Sequence, residues 1–191
     1  NGDAAAATYI FRFAAWAVQH TGERAEAALV LRGEEGTGKG TFAHAMRKLF
    51  GHHGLHVSDS KHLVGSFNAH LRHCLWLYAD EAFWAGNKQG ESVLKALITE
   101  PTIMIEQKGV DAMAWRNRFH VCMTANADWV VPAGPGARRY MVVDVSDARR
   151  QDKAYFAALY QEMRDGGLAA MLHDLLAADL GGWHPREIVQ T

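Results

Sequence analysis

The stretch GEEGTGKGT, Gly33 to Thr41, follows directly on the apolar run AALVL. Binding a phosphate with main-chain groups needs close approach, which glycines allow, and a helix N-terminus whose N–H groups and dipole favour negative charge. An apolar run, a glycine loop, a lysine and the helical pattern KGTFAHAMRKLFG arrive in that order. Gly33, Gly36, Thr37, Gly38, Lys39, Gly40 and Thr41 are therefore expected to cradle the phosphates of a nucleotide, with Lys39 as the point charge on its β and γ groups. One position departs from the usual pattern. A Ser or Thr ordinarily follows the lysine and offers its hydroxyl to Mg²⁺. Gly40 stands there instead, so Thr41, one step later, or water is expected to substitute.

Further candidates lie at the ends of apolar runs. Asp80 and Glu81 close CLWLYADEA, 41 residues after Lys39. In a parallel sheet ligands collect beyond the carboxyl ends of the strands, where Asp80 can hold a Mg²⁺ shell and Glu81 can polarise an attacking water. Asn126 closes FHVCMTAN, and its carboxamide can bond a γ-phosphate or orient that water. Arg138 and Arg139 follow the PAGPGA loop and precede YMVVDV. They suit transferring-phosphate charge, in the same subunit or across an interface, or equally a surface salt bridge. Lys108 sits at a presumed hairpin turn with Arg116 and Arg118 nearby; it can neutralise a nucleic-acid phosphate or simply face water.

The elements that must position these residues follow from periodicity. Tyr9, Phe13, Trp16 and His20 recur at helical spacing, and GESVLKALITE is a helix stopped by Pro101. PTIMIEQKGVDAMAWR alternates on both sides of a Lys-Gly turn, which predicts a hairpin over 101–116. A short strand is expected around LHVS, short helices from Lys61 to Arg72, and two helices between Asp152 and Asp179 broken at Gly166 and Gly167. Strands alternating with helices predict an α/β fold with a largely parallel five-stranded sheet, the hairpin inserted and helices at both ends. The expected division is an N-terminal helix and linker over 1–26, a core over 27–147 and a C-terminal helical segment over 148–191.

Composition sets limits on partners. Hydrophobic residues make up 49% and charged residues 21% of the 191, ordinary for a globular chain. With 20 Lys+Arg against 21 Asp+Glu the net charge is −1, so any nucleic-acid contact must come from a local cluster. Arg12 interrupts the most apolar early stretch, which predicts no membrane span. Cys74 and Cys122, without CxxC spacing, predict buried reduced thiols and a cytoplasmic setting. The GHHGLH run has no partner acids or cysteines at metal-ligand spacing and is read as a helix end and loop. The first residue, Asn1, suggests a piece of a longer polypeptide.

Taken together, GEEGTGKGTF, LWLYADEAFWAG, IEQKGVDAMAWRNRF, HVCMTANADWVVP and ARRYMVVDV resemble, in order, motifs A, B, B′, C and the arginine region of superfamily 3 helicases. These are AAA+ P-loop ATPases, and the likeness is to the helicase part of phage and plasmid primase–helicase proteins, from about Tyr9 to Val145. The resemblance implies that Lys39 binds ATP phosphates, Asp80 holds Mg²⁺, Glu81 activates water and Asn126 senses the γ-phosphate. It implies that Arg138 or Arg139 reaches into a neighbouring subunit's site. Lys108 would sit on a pore hairpin that grips single-stranded DNA. A hexameric ring would translocate on that strand, with a primase domain in the same chain or acting in trans, in the host cytoplasm if phage-encoded. Two other readings stand beside it. Lysine followed by Gly-Thr is also typical of adenylate-kinase-like nucleotide kinases, although those carry an acid-Gly-aromatic-Pro-Arg segment that Asp80–Glu81 replaces here. A DNA-clamping or assembly module switched by ATP is the third.

Overall fold

The computed structural model describes residues 3–59, 61–80, 88–126 and 139–189. Three apolar runs lack the alternation of a half-exposed strand, and all three become central strands buried on both faces. These are β1 (Ala28–Arg32), β3 (Trp76–Ala79) and β6 (His120–Ala125). Two less buried strands, β2 (Gly54–Val57) and β7 (Tyr140–Asp144), take the edges. The order is β2-β3-β6-β1-β7 with every pairing parallel, so Leu29 lies opposite both Cys122 and Met141, and Tyr78 opposite both His56 and Cys122. Parallel pairing puts the ends of β1, β3 and β6 on one edge of the sheet. The order places β6 between the glycine loop after β1 and the acid after β3.

Alternate residues divide the core in two. On one face Val30, Leu77, Val121 and Met123 pack with Leu94, Leu97 and Ile98 of α4 (Lys88–Thr99). On the other, Leu29, Trp76, Tyr78, Cys122 and Met141 pack against α1 (Ala4–Gln19) and α2 (Lys39–Leu49). Tyr9, Phe13 and Trp16 of α1 are buried, as their helical spacing predicts. Asp3 caps that helix by accepting from the Ala6 N–H at 3.0 Å. Cys74 and Cys122 are buried free thiols, and burial pushes Cys74 up to about 12.

The hairpin forms as the alternation predicts, with β4 (Thr102–Gln107) and β5 (Val110–Arg116) antiparallel around Lys108 and Gly109. Gly109 has φ +77°, a turn conformation that an L side chain rarely adopts. Ile103 and Ile105 face the core, whereas Met104 and Val110 are exposed. Asn68 clamps the hairpin edge, donating to Met104 O at 2.8 Å and accepting from the Glu106 N–H at 2.7 Å. A single turn, α3 (Lys61–Val64), precedes this clamp.

The C-terminal helices are α5 (Lys153–Glu162) and α6 (Leu168–Ala177), separated by a turn in which Gly166 reaches φ +104°. They return onto the sheet face that carries α1. Gln19 donates to Leu175 O and Ala178 O, and the Tyr9 hydroxyl donates to Pro185 O. No helix among the described residues is long and apolar enough to cross a membrane.

Candidate functional site

A cleft of about 360 Å³ opens at the carboxyl edge of β1, β3 and β6. Gly36, Gly38, Lys39, Gly40, Thr41, Asp80 and Asn126 line it, together with His44, Tyr78, Thr124, Phe156 and Tyr160. Its size falls in the usual range for small-molecule sites.

The loop is wound tightly around its own lysine. Lys39 Nζ donates to Gly33 O at 2.7 Å and Glu34 O at 2.6 Å, and the Thr37 hydroxyl donates to Glu34 O at 2.8 Å. Gly38, the N-cap of α2, has φ 93° and leaves the helix start without a side-chain cap. Among the described residues, no protein acceptor takes the N–H groups of Gly36, Thr37 and Gly38. These free donors at a helix start, with an ammonium beside them, are a cradle of the kind that phosphate oxygens fill. The Gly33 N–H donates to Ala125 O at 3.1 Å, which ties the loop to β6 beside Asn126.

Asp80 is held from three sides. Thr124 on β6 donates its hydroxyl to Oδ1, and the Tyr78 hydroxyl lies 3.4 Å from that of Thr124. On β2, His56 Nε2 stands 3.5 Å from Asp80 Oδ2, an electrostatic contact rather than a well-formed hydrogen bond. Burial opposes ionisation of Asp80. The hydrogen bonds from Thr124 and Tyr78 and the charge of His56 outweigh it, and the carboxyl sits below its usual value. A charged carboxylate facing a cleft that also holds the Thr41 hydroxyl fits a hydrated divalent cation. Thr41 Oγ1 lies 3.0 Å from the Tyr160 hydroxyl.

Three aromatic rings back this arrangement. His56 stacks on Tyr78 with centroids 4.6 Å apart, and His44 meets both edge-on at 4.9 Å. Burial, then His56 and Arg47, push the His44 imidazole below its ordinary value, which favours its neutral form. A Cβ on Gly40 would lie 3.3 Å from the Tyr78 hydroxyl, and one on Gly38 would lie 2.7 Å from the Phe156 ring. Glycine at both positions lets α2 start close against β3 and α5.

The structure thus brings Gly36, Gly38, Lys39, Gly40, Thr41, Asp80 and Asn126 into one cleft, with Gly33 and Thr37 in the same loop. It does not bring in two others. Arg139 is exposed at the amino end of β7, where its carbonyl accepts from the Ala28 N–H at 2.8 Å, so it lies at the opposite edge of the sheet. Lys108 is exposed at the hairpin turn and does not line the cleft. Glu81 and Arg138 lie outside the described residues. His56 belongs to the strand expected around LHVS and faces Asp80. Tyr78, Thr124, His44, Phe156 and Tyr160 escape motif reading. Only Tyr78 carries a local signal, since it stands two residues before Asp80 on the same strand face.

Comparison with known proteins places the chain. It is 25% identical over 145 residues to the DNA primase-polymerase of Nitratiruptor phage NrS-1, a match covering 74% of this chain and 20% of that protein. The chain therefore spans about a fifth of the length of this curated relative. Its fold matches apo structures of the NrS-1 C-terminal region with TM-scores of 0.84. Identities are 21% and 22%, and the matches cover 99% of this chain and 45% and 46% of those chains. Residues 31–139, more than half of the chain and including the loop, Asp80, the hairpin and β6, match a family described as of unknown function, DUF5906. The chain, related to a phage DNA primase-polymerase, belongs to the DUF5906 family.

Proposed function

We propose that this chain is the ATP-driven DNA helicase motor of a phage or mobile-element replication protein, a P-loop ATPase of AAA+ type working on single-stranded DNA as a hexameric ring. The observation that carries the reading is the meeting of Lys39, Asp80 and Asn126 at the ends of three neighbouring strands. The relationship to a phage primase-polymerase supports a replication setting and a primase domain as partner.

In this reading Lys39 exchanges its two loop carbonyls for β and γ oxygens of ATP, while the N–H groups of Gly36, Thr37 and Gly38 donate to the phosphates. Asp80 and Thr41 would hold Mg²⁺, which when bound neutralises charge shared by the β and γ groups. Thr124, Tyr78 and His56 keep Asp80 charged and oriented. Glu81 polarises the attacking water and Asn126 orients it or bonds the γ-phosphate. Arg139 or Arg138 completes a neighbour's site, and Lys108 grips the strand in the pore.

Steady-state ATP hydrolysis with and without single-stranded DNA tests this on the wild type, Lys39→Ala and Glu81→Gln. DNA-stimulated turnover is expected in the wild type only, with ATP-analogue binding kept in Glu81→Gln and lost in Lys39→Ala. Conversion of AMP to ADP at the expense of ATP would replace the motor by a nucleotide kinase. Binding without turnover by any assembly would replace it by a switched clamp.

A further inference from the structure

At the opposite edge of the sheet, by the amino ends of β2, β3 and β6, basic side chains converge on a second hollow of about 230 Å³. Arg72, Arg116, Arg118, His53 and His73 line it together with Trp115, and no carboxylate does. Arg24, Arg32, Arg149, Arg150 and Arg186 each have an acid partner, yet among the described residues Arg72, Arg116 and Arg118 have none. Arg72 is instead held over the Trp115 ring, its guanidinium carbon 4.3 Å from the centroid, and His73 meets the same ring edge-on. A cation over an aromatic face is fixed in position without being neutralised. The three arginines are exposed, and Trp115 is half-buried.

Three uncompensated guanidiniums in one hollow repel one another, and a polyanion relieves that repulsion. An aromatic ring and a guanidinium on it form a platform on which a nucleobase stacks, and the remaining arginines suit the adjoining phosphates. Trp115 and Arg116 end the hairpin strand whose turn carries Lys108. We infer that this hollow is a second single-stranded nucleic-acid contact at the base of the hairpin, an inference that rests on the nucleic-acid track of the proposed function. It binds a base on the Arg72–Trp115 pair and phosphates on Arg116 and Arg118.

The test is fluorescence anisotropy of a labelled oligothymidine strand across a salt series, with the wild type, Arg72→Ala/Arg116→Ala/Arg118→Ala, Trp115→Ala and Lys108→Ala. Losing the two phosphate contacts along with the Arg72 platform is expected to weaken binding at least about tenfold and to flatten the log–log salt slope by about 1.4. Trp115→Ala is expected to weaken binding with the salt slope kept, because stacking releases no counterions. If the arginine variant and Trp115→Ala bind like wild type while Lys108→Ala does not, the inference is overturned and the motor reading stands. Displacement of the strand by inorganic tripolyphosphate at equal phosphate concentration, with Trp115→Ala unaffected, overturns it in favour of a small polyphosphate ligand. A wild type that binds an ATP analogue but no strand overturns it together with the nucleic-acid track, leaving the nucleotide site intact.

Discussion

The Tyr78 hydroxyl stands 3.3 Å from the point where a Cβ on Gly40 would lie. Tyr78 thus borders the space that a Ser or Thr side chain would enter at position 40. Its ring is fixed there by the stack on His56 and by the register of β3 between β2 and β6. In an open helix, Gly→Ala stabilises by about 0.5–1 kcal/mol. At position 40 the crowding against Tyr78 offsets that gain. Gly40→Ala is therefore expected to leave stability nearly unchanged in the wild type and to raise it by up to about 1 kcal/mol in a Tyr78→Phe background. Denaturant unfolding of the four proteins measures the coupling, and equal effects in both backgrounds would refute it.

Thr124 offers a second test, of how Asp80 is held. The threonine is buried and donates to a carboxylate whose side chain is 36% exposed. Thr124→Val keeps the shape and removes the donor, at an expected loss of about 1 kcal/mol near neutral pH, low in the range for charged partners because Asp80 is partly solvated. The sign in pH follows from a folded-state value below the unfolded one. The contribution is complete above the unfolded value and fades as pH falls through the folded value. The mutational loss should therefore shrink in acid. A loss that stays constant to low pH would mean that the valine damages packing and not the carboxylate.

The parts of this arrangement legible in the sequence are those carried by contiguous runs. Strand, glycine loop, lysine and helix sit next to one another in the chain, so GEEGTGKGT announces itself, and Asp80 and Asn126 are marked by the ends of long apolar runs. The hairpin is legible because the alternation of Ile103 and Ile105 against Met104 survives into burial. The clamp on Asp80 is different. Thr124 on β6 and His56 on β2 meet it through the register of neighbouring strands, which no local pattern encodes, whereas Tyr78 precedes it by two residues on its own strand. Tyr160 reaches Thr41 across 119 residues because α5 folds back over the loop. Its spacing with Phe156 reads as an ordinary packed helix face, yet no residue of α5 is buried and both rings line the cleft.

His120 sets a pH dependence of the fold. Its ring is buried between Trp16 and Phe50, with Nδ1 3.2 Å from Leu75 O and Nε2 without a partner. Burial lowers its value to about 4, against an ordinary 6.5. Between those values the unfolded chain takes up a proton that the folded chain refuses, so stability falls as pH drops from about 6.5 to about 4. The loss from this group approaches about 3 kcal/mol at the lower end. His120→Phe, which keeps a ring between the two neighbours, should flatten that slope. The lowered values of His44 and His184 leave a residual slope. Unfolding free energies measured across this window decide it, and an unchanged slope in His120→Phe would assign the dependence elsewhere.

Arg139 decides whether the site is completed by a neighbour. Its own cleft lies at the far edge of the same sheet, beyond the length of β1, so within one chain it cannot approach the place proposed for the phosphates at Lys39. If it acts in catalysis, it acts on another subunit. Arg139→Ala and Glu81→Gln are each expected to be inactive alone. In an equal mixture, a subunit with Glu81 intact meets a neighbour with Arg139 intact at one interface in four, so turnover should recover to about a quarter of wild type. Arg138→Ala, mixed in the same way, identifies which of the two arginines crosses the interface. Full activity of Arg139→Ala alone assigns the role to Arg138. No recovery in either mixture would rule out action of either arginine across the interface.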